Sequence, residues 1–145
     1  SKEGLFKEAL QHYSATMGGL LQEKVAEQGS PLAGLQDYIR CVVIERRDTA
    51  PSDMCMLVKT VAEITETNPE LLKQSQALMK KTELYFAGLL EQAQIEGEIP
   101  AQKDPLLLAK YLQVQLIGLR TYLRSSQDPE AVDTLILEIF TALRN

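Results

Sequence analysis

The stretch from Asp53 to Leu72 reads DMCMLVKTVAEITETNPELL, and it shows how the whole chain is punctuated. Its first apolar residues recur at positions i, i+3, i+4, i+7 and i+8, which is the pattern of a helix buried on one side. Asn68 and Pro69 then place a capping side chain before a residue that suits the first helical position. The stretch therefore predicts a short helix, a tight corner and the start of a longer helix.

The same punctuation occurs at three other places, Ser30-Pro31, Asp104-Pro105 and Asp128-Pro129. No segment shows the alternation of a strand, so the sequence predicts an all-α fold. The signals divide the chain into six helices, which cover residues 2–28, 31–47, a segment after Asp53, 69–97, 105–125 and 129–145. Gly18-Gly19 weakens the middle of the first helix by roughly 1 kcal/mol per glycine relative to alanine, so a bend or close packing is expected there.

Composition limits the classes of function. With 145 residues and no internal boundary, the chain is expected to form one domain, residues 1–145. Its net charge of −5 and the absence of any long Lys/Arg cluster make it a poor nucleic-acid binder as it stands. We expect no membrane span, because no apolar run approaches ~20 residues. The two cysteines form no disulfide framework, which favours a cytoplasmic location.

Catalytic and metal-binding signals are missing from the sequence. The chain has one histidine and no nucleophile, phosphate-loop or zinc-protease motif. Two cysteines and one histidine, at positions 41, 55 and 12, have no zinc-finger spacing. We therefore expect no enzyme, no metal site and no cofactor.

A ligand pocket has more support. Several predicted helices carry polar-tipped or soft side chains on faces expected to point inward, and such a mixture suits an apolar cavity with a few orienting polar groups. The alternative is that these side chains are core residues bonded to each other. The candidate ligand-binding residues are His12, Tyr13, Thr16, Met17, Cys55, Tyr85, Tyr111 and Gln115.

Cys55 is also a candidate thiol sensor. Asp53 can cap the helix that contains it, so Cys55 lies in the first turn, where helix-terminal N–H groups can lower the pKa of a thiol. The alternative is an inert buried cysteine. Cys41, on the apolar face in the middle of a helix, is interpreted as core.

The last two predicted helices carry more apolar surface than one small domain can cover. The helix at 105–125 is apolar nearly all round, and a helix of that kind must bury more than one side. A second copy of the chain is the expected cover. The residues predicted at this dimer interface are Leu112, Leu119, Tyr122, Leu123, Leu135 and Ile139.

Several segments, in order, resemble the TetR/AcrR family of transcriptional regulators. The start, Ser1 to Phe6, resembles the junction between the DNA-binding domain and the first regulatory helix. Met54-Cys55-Met56-Leu57, Asn68-Pro69-Glu70, Gln94 to Ile99 and Gly118-Leu119-Arg120 resemble motifs of one regulatory-domain subgroup, although Met54 replaces its usual glycine.

The resemblance implies a helical regulatory domain that dimerises through its last two helices, with a helix-turn-helix domain missing before Ser1. It implies an effector-sensing repressor domain in which a small apolar or electrophilic molecule releases the intact protein from DNA. DNA would be contacted only through the missing domain. The competing hypothesis is a structural helical adaptor that binds another protein through its apolar C-terminal helices.

Overall fold

The structure, a computed structural model, describes residues 2–46 and 68–145, and within these ranges it is helical without a strand. The described helices are α1 (Lys2–Gln28), α2 (Pro31–Arg40), α3 (Pro69–Ile95), α4 (Pro105–Ser126) and α5 (Pro129–Arg144), with a π-helical segment (Cys41–Glu45) directly after α2. The predicted all-α fold is confirmed for the described residues. The predicted helix after Asp53 lies outside the described residues, so a count of six is not established.

The four N-caps that precede a proline are confirmed, while the cap predicted at Asp53 lies outside the described residues. Each capping side chain accepts a hydrogen bond from a backbone amide in the first turn of its helix, which satisfies one of the donors left open there. The donors are the amides of Ala33 for Ser30, Leu71 for Asn68, Leu106 for Asp104 and Ala131 for Asp128. These local signals fix where α2 to α5 begin.

The second predicted helix ends differently from the expectation. A regular helix to Arg47 was predicted, but the backbone changes to a π-helix at Cys41, where the amide of Arg46 donates to the Cys41 carbonyl at 2.9 Å. Arg120 of α4 donates from Nη1 to the Val42 carbonyl at 2.5 Å. A side chain that takes up a helix carbonyl disturbs the regular ladder, and this contact from α4 cannot be read from the α2 sequence.

Two antiparallel helix pairs build the domain. In the first pair, α1 turns at Gly29, whose φ of 67° suits glycine, and α2 returns along it, with Lys24 Nζ 3.5 Å from Asp37 Oδ2. In the second pair, α3 and α4 run in opposite directions, since residue 79 contacts 113 and residue 83 contacts 110. Helix α3 packs against α1 and α2, and α5 packs against α2 and α4. The core therefore lies between the two pairs.

Helices α1 and α2 come unusually close at Gly34. A Cβ atom on Gly34 would lie 2.4 Å from the Cα atom of Val25, a distance that real Cβ atoms essentially never show. Glycine is needed here because the neighbouring group is backbone, which cannot swing away as a flexible side chain can. The C-terminal part of α1 is therefore held tightly against α2.

The loop between α3 and α4 ties the two helix pairs together. Glu98 accepts hydrogen bonds from the Ser30 hydroxyl and from the Leu32 amide, at the start of α2. Lys103 Nζ donates to the carbonyls of Ala142 and Leu143 at 2.7 and 3.1 Å. A cation at the carbonyl end of a helix is favourable, so this loop also secures the end of α5.

Candidate functional site

A cavity of about 320 Å³ lies between the middle of α1 and the facing parts of α3 and α4. This volume is at the lower end of the ~300–1,000 Å³ that is typical of small-molecule sites. The described residues that line it are Tyr13, Ser14, Ala15, Met17, Gly18, Gly19, Leu21, Gln22, Tyr38, Leu78, Met79, Lys81, Thr82, Tyr85, Phe86, Gln113, Leu116 and Ile117.

The deep wall of the cavity is apolar and aromatic. Tyr38 and Phe86 contact each other edge to face, with ring centroids 6.2 Å apart and planes at 72°. Both rings are buried, as are Leu21 and Leu116. Burial raises the pKa of the Tyr38 phenol, and the nearby Tyr13 phenol raises it further, so Tyr38 stays neutral at ordinary pH. This wall suits a planar apolar molecule.

The lining of the cavity includes polar side chains, two of which are held by hydrogen bonds to backbone carbonyls. The Gln113 amide donates to the Met79 carbonyl at 3.0 Å, and the Thr82 hydroxyl donates to the Leu78 carbonyl at 3.1 Å. These bonds hold both side chains in place. Lys81 is exposed and still lines the cavity, which places it at the opening. Among the described lining residues, the cavity therefore combines a buried apolar wall with one positive group at its mouth.

Helix α1 lines the cavity at Gly18-Gly19, where its helix propensity is lowest. The close packing expected at Gly18-Gly19 is not seen among the described residues, because a Cβ atom on either glycine would meet nothing within 4 Å, and α1 is an uninterrupted helix there. Both glycines line the cavity. The space beside α1 is therefore open where the helix has the lowest intrinsic stability.

The predicted ligand-binding residues are only partly brought together. Tyr13, Met17 and Tyr85 line the cavity. The remaining predicted residues are absent from its described lining: His12, Thr16 and Tyr111 are exposed and Gln115 is half-buried. The expectation that His12 and Thr16 face inward is wrong, because each precedes a buried residue, Tyr13 or Met17, and consecutive helix positions point about 100° apart.

The sequence reading missed other lining residues. Tyr38, Phe86 and Gln113 were not among the predicted ligand-binding residues, and they come from three different helices. The signal that could have identified Gln113 is an amide within an otherwise apolar stretch of α4, which it shares with Gln115. Lys81 could not have been identified, because a lysine beside another lysine resembles any solvated helix face.

The structure describes Cys41 but not Cys55. Cys41 is buried in the π-helical segment, and burial, followed by the nearby Glu45 carboxylate, raises the pKa of its thiol. A raised pKa suppresses the reactive thiolate, which agrees with the interpretation of Cys41 as core. Cys55 lies outside the described residues, so its role as a thiol sensor stays a prediction.

The outer surface of α4 carries an apolar stripe. Leu107, Tyr111, Val114 and Tyr122 are exposed, Leu107 by 62% and Val114 by 65%, and they recur at helical spacing with Gly118 between them. On α5, Leu135 and Leu137 are exposed as well, and they lie on different sides of that helix because they are two positions apart. We call the exposed apolar stripe of α4 the outer apolar face.

The outer apolar face differs from the predicted dimer interface. Of the predicted residues, Tyr122 and Leu135 are exposed. Leu112, Leu119, Leu123 and Ile139 belong to the core of the single chain, so they have almost no surface left for a partner. The sequence could not separate the two sides of α4, because both are apolar. A dimer through these helices stays a prediction.

Metal-ligand clusters and membrane-spanning helices are both missing from the described part of the chain. Within residues 2–46 and 68–145, no three His, Cys, Asp or Glu side chains are grouped so that they could hold a metal ion. Over the same ranges, no helix has the length and apolar character needed to cross a membrane.

Comparison with known proteins identifies the family. The profile of the tetracyclin repressor-like C-terminal domain matches residues 31–138, well over half of the chain. The chain belongs to this family. TetR-type C-terminal domains are regulatory and are generally not enzymes, and the family in general forms dimers that respond to small molecules. No curated protein and no solved structure gives a significant match.

Proposed function

We propose that this chain is the effector-sensing and dimerising domain of a TetR-like transcriptional repressor, and that a small apolar molecule binds in the cavity between α1, α3 and α4. The observation that carries the proposal is the cavity itself, which has a buried aromatic wall and a volume suited to one small molecule. Family membership supports the same function.

The position of α1 supports a route from ligand to DNA. Tyr13, Met17 and Leu21 present one face of α1 to the cavity. The N-terminal end of α1 would join the DNA-binding domain, in a cytoplasmic protein that contacts DNA only through that domain. A ligand that binds more tightly to one arrangement of α1 would shift the population toward it and release DNA.

The ligand site can be tested by filling it. Gly18→Leu places a side chain where the cavity is open, and Gly88→Leu places the same side chain on α3 where there is also space but no cavity wall. With 2-naphthalenemethanol as the ligand, calorimetric titration should show binding to the wild type and to Gly88→Leu. Gly18→Leu should bind at least tenfold more weakly. Equal binding by both variants would place the ligand elsewhere.

The dimer is the second part of the proposal. The outer apolar face would be covered by the same face of a second copy, as expected for a two-fold interface. A charge buried without a partner is costly, so Val114→Glu should raise the dimer dissociation constant about 100-fold or more in sedimentation equilibrium. Leu5→Glu, at an exposed leucine on α1, is the control that should leave the dimer intact.

A covalent version of the proposal depends on Cys55, outside the described residues. If an electrophile acts there, one thiol should react quickly with a maleimide and Cys41 slowly. Cys41→Ala should then leave the fast reaction unchanged. Slow reaction of both thiols would remove the covalent version and leave the non-covalent one.

A further inference from the structure

The described lining of the cavity is unbalanced in charge. Lys81 is its only ionised side chain at neutral pH, and none of the described lining residues is acidic. Three acidic side chains adjoin lining residues in sequence: Glu23 is exposed, and the other two, Glu83 and Asp37, pair with lysines outside the lining. Glu83 lies 3.2 Å from Lys110, and Asp37 lies 3.5 Å from Lys24. The positive charge of Lys81 is therefore not neutralised by either of these carboxylates.

The other polar groups of the lining can also donate. Tyr13, Tyr38 and Tyr85 carry phenolic hydroxyls, and Ser14 carries an aliphatic one. Burial raises the pKa of Tyr38, so its phenol keeps its proton. A set of donors with one cation favours a ligand that offers acceptor oxygens. A cationic ligand would find no carboxylate among these residues.

The shape of the wall limits the rest of the ligand. Aromatic side chains form much of it, and flat rings prefer to stack on or meet the edges of other rings. A volume of about 320 Å³ has room for one or two fused rings and little more. The ligand body is therefore small, planar and apolar.

We propose that the cavity takes a small aromatic carboxylic acid or a similar planar organic anion, with its rings against Tyr38 and Phe86 and its carboxylate at Lys81. This inference rests on the proposed ligand site and names its ligand class. The chain as a whole has a net charge of −5, which disfavours anions at long range. A preference for an anion must therefore come from local groups, and Lys81 is the local group.

The test compares three ligands with the same ring system and different charge: 2-naphthoate, 2-naphthalenemethanol and 2-naphthylmethylamine. Affinities for the 145-residue chain are measured by calorimetric titration at low salt. The acid should bind about tenfold more tightly than the amine, because a charge-assisted bond at Lys81 favours one and repels the other. The preference should shrink in high salt, since Lys81 is exposed and its charge is screened there.

Two variants locate the effect. Lys81→Gln should weaken 2-naphthoate about two- to fivefold and leave 2-naphthalenemethanol unchanged, in keeping with the strength of an exposed ion pair. Lys80→Gln removes the neighbouring charge, from an exposed lysine that is not part of the described lining. It should change the affinity for neither ligand.

The outcomes separate the inference from the proposed function. An amine that binds as well as the acid, or equal losses in both lysine variants, would overturn the anion preference while the ligand site stands. Failure of all three ligands to bind would overturn the ligand site itself, and the inference with it. Acid preference that disappears in Lys81→Gln alone would support both.

Discussion

Helix α1 is packed in two opposite ways along its length. Near its C-terminal end, the backbone of Val25 approaches Gly34 so closely that even a methyl group would overlap it. In its middle, Gly18 and Gly19 face open space, with nothing within 4 Å of an added Cβ. We therefore expect a helix that is anchored at one end and adaptable where it lines the cavity.

This contrast matters for the proposed mechanism. A close-packed region transmits a displacement but yields little, whereas a region beside a void can adopt more than one arrangement. If the start of α1 is joined to a DNA-binding domain, a ligand in the cavity would displace the middle of α1, while the C-terminal part of the helix stays held against α2. The predictions below test this contrast in order of expected effect.

The largest effect is expected at the core beneath the anchored end. Leu35 of α2 is fully buried, so Leu35→Ala should lower the free energy of unfolding by about 3–5 kcal/mol. Met17 is also buried, but it lies beside the existing cavity, so part of its surface already lacks neighbours. Met17→Ala should therefore lower the free energy of unfolding by only about 1–2 kcal/mol. Urea unfolding measures both, and equal losses would contradict the contrast.

The close approach gives the next prediction. Gly34→Ala adds only one methyl group, yet it must push α1 and α2 apart, which should cost about 2–3 kcal/mol. Thermal unfolding of the variant should show a clear fall in the midpoint. A variant as stable as the wild type would show that α1 is not anchored at this point.

Alkaline pH tests whether the cavity wall is dry. The raised pKa of the Tyr38 phenol means that the native state keeps a proton which the unfolded state loses above the ordinary pKa of 10.0. Stability from this group is therefore complete below pH 10 and is lost as pH rises, by up to about 1.4 kcal/mol per pH unit. In urea titrations between pH 9 and 11, Tyr38→Phe should reduce this slope. An unchanged slope would mean that water reaches the phenol.

The smallest effect should have the opposite sign. Gly19→Ala improves the helix propensity of α1 without any clash, so it should raise the free energy of unfolding by about 0.5–1 kcal/mol. It is the matched control for Gly34→Ala, since both add one methyl group to a helical glycine. If Gly19→Ala destabilises the protein, the middle of α1 is not open in solution.

Local signals and tertiary contacts explain what the sequence could predict. Ser30, Asn68, Asp104 and Asp128 each combine a capping side chain with a following proline, so the starts of four helices could be read directly. The π-helical segment could not, because Arg120 reaches Val42 from a distant part of the chain. Such a contact leaves no trace in local periodicity.

The site was predictable only in part for the same reason. Tyr13 and Met17 share one face of α1, and periodicity alone placed them inward. Lys81 belongs to the cavity only because of how α3 is rotated against α1, which spacing along one helix does not specify. The two apolar sides of α4 were equally indistinguishable, so core residues such as Leu112 were assigned to the dimer interface.

The most direct test of the central claim is hydrogen–deuterium exchange along α1, with and without saturating 2-naphthalenemethanol. We predict that amides of residues 9–19 exchange faster than those of residues 21–28 in the free chain, and that the ligand slows the first group selectively. Uniform exchange along α1, with protection by the ligand confined to other helices, would contradict the claim that α1 is anchored at one end and adaptable at the cavity.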